Sequence, residues 1–346
     1  LVDRLRSRGM EFGQWVEPEM VNPDSELARE HPDWILRSRL DLPPAARQQQ
    51  VLDLAHPDAY AYIASRLHAL LDEYPIAYLK WDHNRDLVDA GSGPGGGSHV
   101  HAHTLAVYRL LDELKAQHPG LEIESCASGG ARVDLGILDR TDRIWTSDCI
   151  DPLERLDIQR YTGLVVPPEL MGAHLTSAVV HSTGRATDLD LSAAIALFGH
   201  FGVERDISGD SEADLARIRA WVALAKTLRP LVATGRVVNV DGVEPGIDVR
   251  GMVSADRAGA VFTITQAATS VAYPAGRVRF PGLDPEREYC LRVVTPGGAH
   301  EDAGQSPLRW IQDGVILTGR QLATTGIRPP VQHPGRTTLV ELTAQH

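Results

Sequence analysis

Between residue 10 and about residue 230, short apolar segments alternate with longer helical ones, and polar residues gather where the apolar segments end. Residues 57–73 carry Tyr60, Ile63, Leu67, Leu70 and Leu71 at helical spacing, and Pro75 breaks that run. The stretch from Ile76 to Trp81 then reads as a buried strand ending at Asp82. Val107, Leu110, Leu111 and Leu114 mark the next helix, stopped by Pro119-Gly120. Leu121 to Cys126 reads as a strand, 131–139 as a short helix, and Ile144 to Ser147 as a strand ending at Asp148; segments at about 165–174, 188–206 and 211–232 continue the alternation. Repeated strand–helix units call for parallel strands joined by right-handed crossovers. An open doubly wound sheet and a (β/α)8 barrel both satisfy that rule. Polar residues at the C-terminal ends of several different strands favour the barrel, of which roughly six of the eight units are counted.

After about residue 236 the pattern changes. Val237-Val-Asn-Val, Ile247-Asp-Val-Arg, Ala260 to Thr265, Arg277 to Phe280 and Tyr289 to Val294 alternate in short runs between Gly, Pro and Asp turns, and two more runs lie at Val315-Ile-Leu and Thr337 to Leu342. The expected organisation is an α/β domain over 1–235, a TIM-type barrel lacking its first two βα units, followed by an antiparallel β-sandwich over 236–346. A chain of 346 residues has the length for two such domains.

The net charge of −12, without any basic block, argues against nucleic acid as a partner. The longest apolar runs, such as Leu164-Val165-Val166, are far too short to cross a membrane, and the N-terminus lacks the basic-then-apolar layout of a secretory signal. Cys126, Cys149 and Cys290 are widely spaced with no CxxC, the usage of a reduced, cytoplasmic protein. Residues 1–9 read as the end of an amphipathic helix stopped by Gly9, so a preceding segment is expected to have been cut away or never included.

Two carboxylates stand out. Asp82 ends a hydrophobic strand between Lys80 and Arg85, cations that would keep it ionised as a nucleophile requires; a structural ion pair is the competing reading. Asp148 ends a later strand beside Trp145, where an apolar neighbour would raise its pKa and suit a general acid. Asp151, before Pro152, is assigned instead to a helix N-cap. Two carboxylates on one barrel rim suggest glycoside hydrolysis. Cys126 to Gly130 is a tight small-residue turn through which backbone N–H groups approach a ligand, and Gly91 to Ser98 lacks the Lys-Ser/Thr of a phosphate loop. His99, His101 and His103 do not have the spacing of a zinc site and read as a solvated helix start.

The stretch Phe12-Gly-Gln-Trp15-Val-Glu-Pro-Glu-Met-Val-Asn-Pro-Asp-Ser-Glu, with His31-Pro-Asp-Trp34, resembles the signature of bacterial α-galactosidases of glycoside hydrolase family 36. So do Lys80-Trp-Asp82-His-Asn-Arg85, Glu124-Ser-Cys126-Ala-Ser-Gly-Gly130, Trp145-Thr-Ser-Asp148, Met171-Gly-Ala-His174 and Thr183-Gly-Arg185, in the family's order and over roughly residues 1–235. The resemblance implies retaining hydrolysis of terminal α-galactosides of the melibiose or raffinose type, with Asp82 as nucleophile and Asp148 as acid/base, and neither cofactor nor metal. It implies Trp15 as a wall of the sugar pocket, Arg47 and Lys80 as ligands of sugar hydroxyls, and Cys126 with Gly129 bordering the 2-hydroxyl. The implied partner is a small galactoside or oligosaccharide, and a homo-oligomer is compatible with it. His83 departs from the family's usual Met, and Cys149-Ile150 from its usual Asn-Thr. The family's Asp-Asp-Gly-Trp segment, which holds the galactose 4- and 6-hydroxyls, does not occur in these residues, and from the two missing barrel strands the chain alone is expected to be inactive or nearly so. α-N-Acetylgalactosaminidase action, galactosyl transfer on the same scaffold, and an inactive carbohydrate-binding fragment are the alternative readings.

Overall fold

The computed structural model describes residues 1–296 and 302–345, in two compact units, 1–148 and 149–346. The first unit holds four parallel strands in chain order: β1 (Phe12–Val16), β2 (Ile76–Trp81), β3 (Glu122–Ser125) and β4 (Arg143–Trp145). Helix α1 (Pro57–Glu73) lies between β1 and β2 in the chain, and α2 (Val100–Gln117) between β2 and β3. Pro57 opens α1 at a position where no N–H is needed, and the His56 side chain accepts from the Asp58 N–H. The apolar stripes read from the sequence do face the core: Leu67 and Leu71 of α1 and Leu110, Leu111 and Leu114 of α2 are buried with Leu79 and Ile123. Burying each such leucine contributes about 2 kcal/mol.

The second unit adds two parallel strands, β5 (Met171–Thr176) and β6 (His200–Glu204), and helices α3 (Pro152–Thr162), α4 (Leu189–Ala196) and α5 (Glu212–Thr234). Its antiparallel layer is a six-stranded sheet of β7 (Arg236–Asn239), β8 (Ile247–Val253), β9 (Gly259–Gln266), β10 (Glu288–Val294), β11 (Val315–Thr318) and β12 (Arg336–Ala344), ordered β11-β10-β12-β9-β8-β7.

Alternation divides this sheet between two cores. Phe262 and Ile264 of β9 and Val340 and Leu342 of β12 pack with Phe280, Leu283, Leu322 and Ile327. Val261 and Leu339, one residue out of phase, pack with Leu189 and Ala193 of α4, with Leu197 just beyond it, and with Trp221 of α5. Arg277 to Phe280, expected as a strand, forms only a single bridge, Val278 to Ile327, because this segment covers the sheet's face instead of joining its edge. Among the described residues no helix is long and apolar enough to cross a membrane. Among the described residues, Cys126, Cys149 and Cys290 are not joined in disulfides.

Candidate active site

Strand β2 delivers Asp82 at its C-terminal end, where the Asp82 N–H still donates to the Val16 carbonyl at 2.9 Å. The residue is 6% exposed. Trp15 Nε1 donates to its Oδ2 at 3.0 Å, Asn84 Nδ2 to the same oxygen at 2.7 Å, and the His83 backbone N–H to Oδ1 at 2.9 Å. Burial alone would raise the pKa of Asp82, but the Cys126 thiol, Asn84, Trp15 and the His83 N–H together hold it below the usual carboxylate value. Neutral donors therefore do what Lys80 and Arg85 were expected to do. Lys80 is engaged elsewhere, with Glu124 at 3.5 Å and over the Trp145 ring at 4.4 Å. Buried Arg85 donates to the carbonyls of Gln49 and Pro44.

Asn84 has no role that the sequence motif assigns, and the structure makes it a junction. Its two amide hydrogens go to Asp82 and to Glu17 Oε1, the latter at 2.5 Å, while its Oδ1 accepts from Arg47 Nη1 at 2.7 Å and from Ser128 Oγ at 3.2 Å. The guanidinium can only donate, which fixes the orientation of the amide. Arg47 itself is exposed and sits at φ +51°, in a region that side chains seldom adopt.

The turn after β3 touches both carboxylate-bearing strand ends. Burial and the neighbouring Asp82 push the Cys126 thiol up to about 12, so it stays protonated and donates to Asp82. Three residues on, Gly129 has φ +84°, and a Cβ there would lie 2.9 Å from the Asp148 nitrogen. A Cβ on Gly130 would lie 2.4 Å from the Thr146 carbonyl oxygen. Both glycines are therefore required by close backbone approach. Asp148 is exposed, and buried Trp145 donates its indole N–H to Oδ1 at 3.1 Å. The tryptophan thus meets Asp148 through its polar edge, while the face of its ring carries Lys80. Trp15 remains 48% exposed, leaving aromatic surface available beside Asp82.

Behind Asp82 lies Glu19, fully buried, a residue that no sequence motif singles out for a role. Trp81 Nε1 donates to Oε1 at 2.7 Å, and Arg132 Nη1 to the two oxygens at 2.9 and 3.2 Å. His83 Nδ1 and His103 Nε2 each lie 3.1 Å from Oε2. Since the Leu54 N–H donates to His103 Nδ1 at 3.2 Å, the ring proton of neutral His103 sits on Nε2 and points at Glu19. His103 is buried and His99 pairs with Asp53 at 2.7 Å, which corrects the reading of this histidine run as a solvated helix start. Sequence spacing hid the signal, because exposed His101 lies between them.

Burial would raise the pKa of Glu19, but Arg132, His103 and His83 bring it well below the usual carboxylate range. The unfolded chain then binds a proton here more readily than the folded one. The stability contributed by ionised Glu19 is full above its unfolded value and is lost as pH falls through the folded value. Glu19→Gln is expected to cost about 3–5 kcal/mol at pH 7. It should also flatten the decline in stability below the unfolded pKa. Thermal unfolding followed by circular dichroism across the acid range measures both; parallel wild-type and variant curves would refute the assignment.

In the second unit Asp151 caps α3 as expected, accepting from the Leu153 N–H at 2.9 Å. Thr183 and Arg185 bond its other oxygen at 2.7 and 2.6 Å, giving the Thr183-Gly-Arg185 motif a structural task.

Residues 1–235 match the family described as Melibiase, and residues 248–342 match the Glycosyl hydrolase family 36 C-terminal domain. An alpha-galactosidase of Escherichia coli is 42% identical over 99% of the chain and 49% of its own length. Alpha-galactosidase AgaA of Geobacillus stearothermophilus is 36% identical over 87% of the chain and 42% of its own. The crystal structure of that GH36 enzyme superposes with a TM-score of 0.88 at 32% identity, covering 99% of this chain and 46% of that one. A variant of it has been crystallised in complex with raffinose, with a TM-score of 0.86 at 31% identity, covering 99% of this chain and 46% of that one. The chain spans about half the length of the curated relatives it matches.

Proposed function

Since the chain belongs to the Melibiase family, we propose that it supplies the reacting carboxylates of a retaining α-galactosidase acting on terminal α-galactosides of the melibiose or raffinose type. The observation that carries this reading is the donor set around Asp82, which keeps a buried carboxylate ionised without tying it to a cation. In the first step Asp82 attacks the anomeric carbon while Asp148 protonates the departing glycosidic oxygen. In the second, Asp148 takes a proton from water, and that water displaces Asp82 to release galactose. Trp15 offers an apolar face to the sugar ring. Arg47, Lys80, Cys126 and Gly129 are assigned to its hydroxyls, where contacts strengthen as oxocarbenium character develops. The raffinose complex of the Geobacillus relative supports an oligosaccharide as substrate.

We place the boundary between the catalytic barrel and the β-domain at 235/236, where Gly235 ends α5 and β7 begins. Wide cysteine spacing with no CxxC supports a reducing, cytoplasmic location. The proposed reaction is tested by following the anomeric proton of galactose during hydrolysis of a nitrophenyl α-galactoside by the enzyme containing this chain. α-Galactose is expected to form first and then mutarotate; β-galactose forming first would exclude double displacement.

A further inference from the structure

We propose that Glu19, acting with His83, is a positioning residue for Asp82; this rests on the reading of Asp82 as nucleophile. The residues on either side of Asp82 both reach Glu19, Trp81 through Nε1 at 2.7 Å and His83 through Nδ1 at 3.1 Å. The Asp82 side chain goes the other way, to Trp15, Asn84 and Cys126. Alternation along an extended chain produces this division: fixing positions 81 and 83 on one face fixes the direction of position 82 on the other.

Glu19 is well suited to that task. It is fully buried, ionised, and itself held by Arg132 and His103. An ionised carboxylate only accepts, so His83 must carry its proton on Nδ1. That bond fixes the His83 backbone, whose N–H is one of the donors to Asp82. Glu19 therefore acts on the nucleophile through its two covalent neighbours. Displacing a reacting group by about 1 Å costs up to about 100-fold in rate.

The test compares His83→Ala, His83→Asn and Glu19→Gln in the enzyme containing this chain, assayed below each variant's unfolding temperature. His83→Ala and Glu19→Gln should lower kcat about 10- to 100-fold with KM changed less than about twofold. His83→Asn, which retains a donor nitrogen near the position of Nδ1, should recover most of the loss. The double variant His83→Ala/Glu19→Gln should be little slower than either single one, because both break the same bond. If folded His83→Ala keeps wild-type kcat, or if His83→Asn is as slow as His83→Ala, the positioning role is overturned. Should Asp82→Ala also keep its activity, the nucleophile assignment has failed; if Asp82→Ala is inactive, only the positioning role has.

Discussion

Asp82→Ala is expected to lower turnover of α-galactosides by about four orders of magnitude or more, as removal of a nucleophile does elsewhere. At about 1.4 kcal/mol per tenfold, that is about 5 kcal/mol of lost transition-state stabilisation. The substitution also opens space on the face of the sugar opposite the leaving group. Azide entering that space should restore part of the rate and yield β-galactosyl azide, since one displacement inverts the anomeric centre. The measurement is the rate with and without azide, together with the configuration of the azide product. Wild-type turnover by the variant, or α-galactosyl azide as its product, would remove Asp82 from the role of nucleophile.

Asp148→Ala should behave differently, and the difference identifies the acid. Raffinose-type substrates, whose leaving oxygen needs a proton, should lose about 100- to 10,000-fold in kcat/KM. A nitrophenyl galactoside leaves as a stabilised phenolate and should lose much less. Its first step then outruns the second, so galactosyl-enzyme accumulates and the apparent KM falls. Azide needs no general base and should speed breakdown of that intermediate to α-galactosyl azide, the opposite anomer from that formed by Asp82→Ala. An equal loss on both substrates would assign the proton transfer to another group.

The position of Asp82 is legible in the sequence because it follows directly on a buried strand, a local signal; the strand expected to run to Asp148 ends earlier, at Trp145. The Asp151 cap is equally local, set by the proline that follows it. The physical cause of the ionisation of Asp82 is not local. Lys80 and Arg85 are near it in sequence, yet its donors include Trp15, 67 residues away. Glu19 is hidden for the same reason. Its partners Trp81, His103 and Arg132 lie 62, 84 and 113 residues away, and nothing in the Glu17-Pro-Glu19 spacing distinguishes a buried acid from a solvated one. The histidine run shows the same limit: helical geometry turns His103 inward and leaves His101 outside.

The turn from Cys126 to Gly130 has a consequence for stereochemistry. At one end its thiol meets Asp82, and at the other its bare backbone lies against residues 146–148. It therefore links the surroundings of Asp82 and Asp148, the two carboxylates proposed to react, and its two glycines admit the backbone of residues 146–148 with no side chain between. Carboxylates set closer together favour retention, and wider separation admits a water and favours inversion. On that scale a methyl group added at position 129 or 130 would have to push the backbone of residues 146–148, and Asp148 with it, away from the turn.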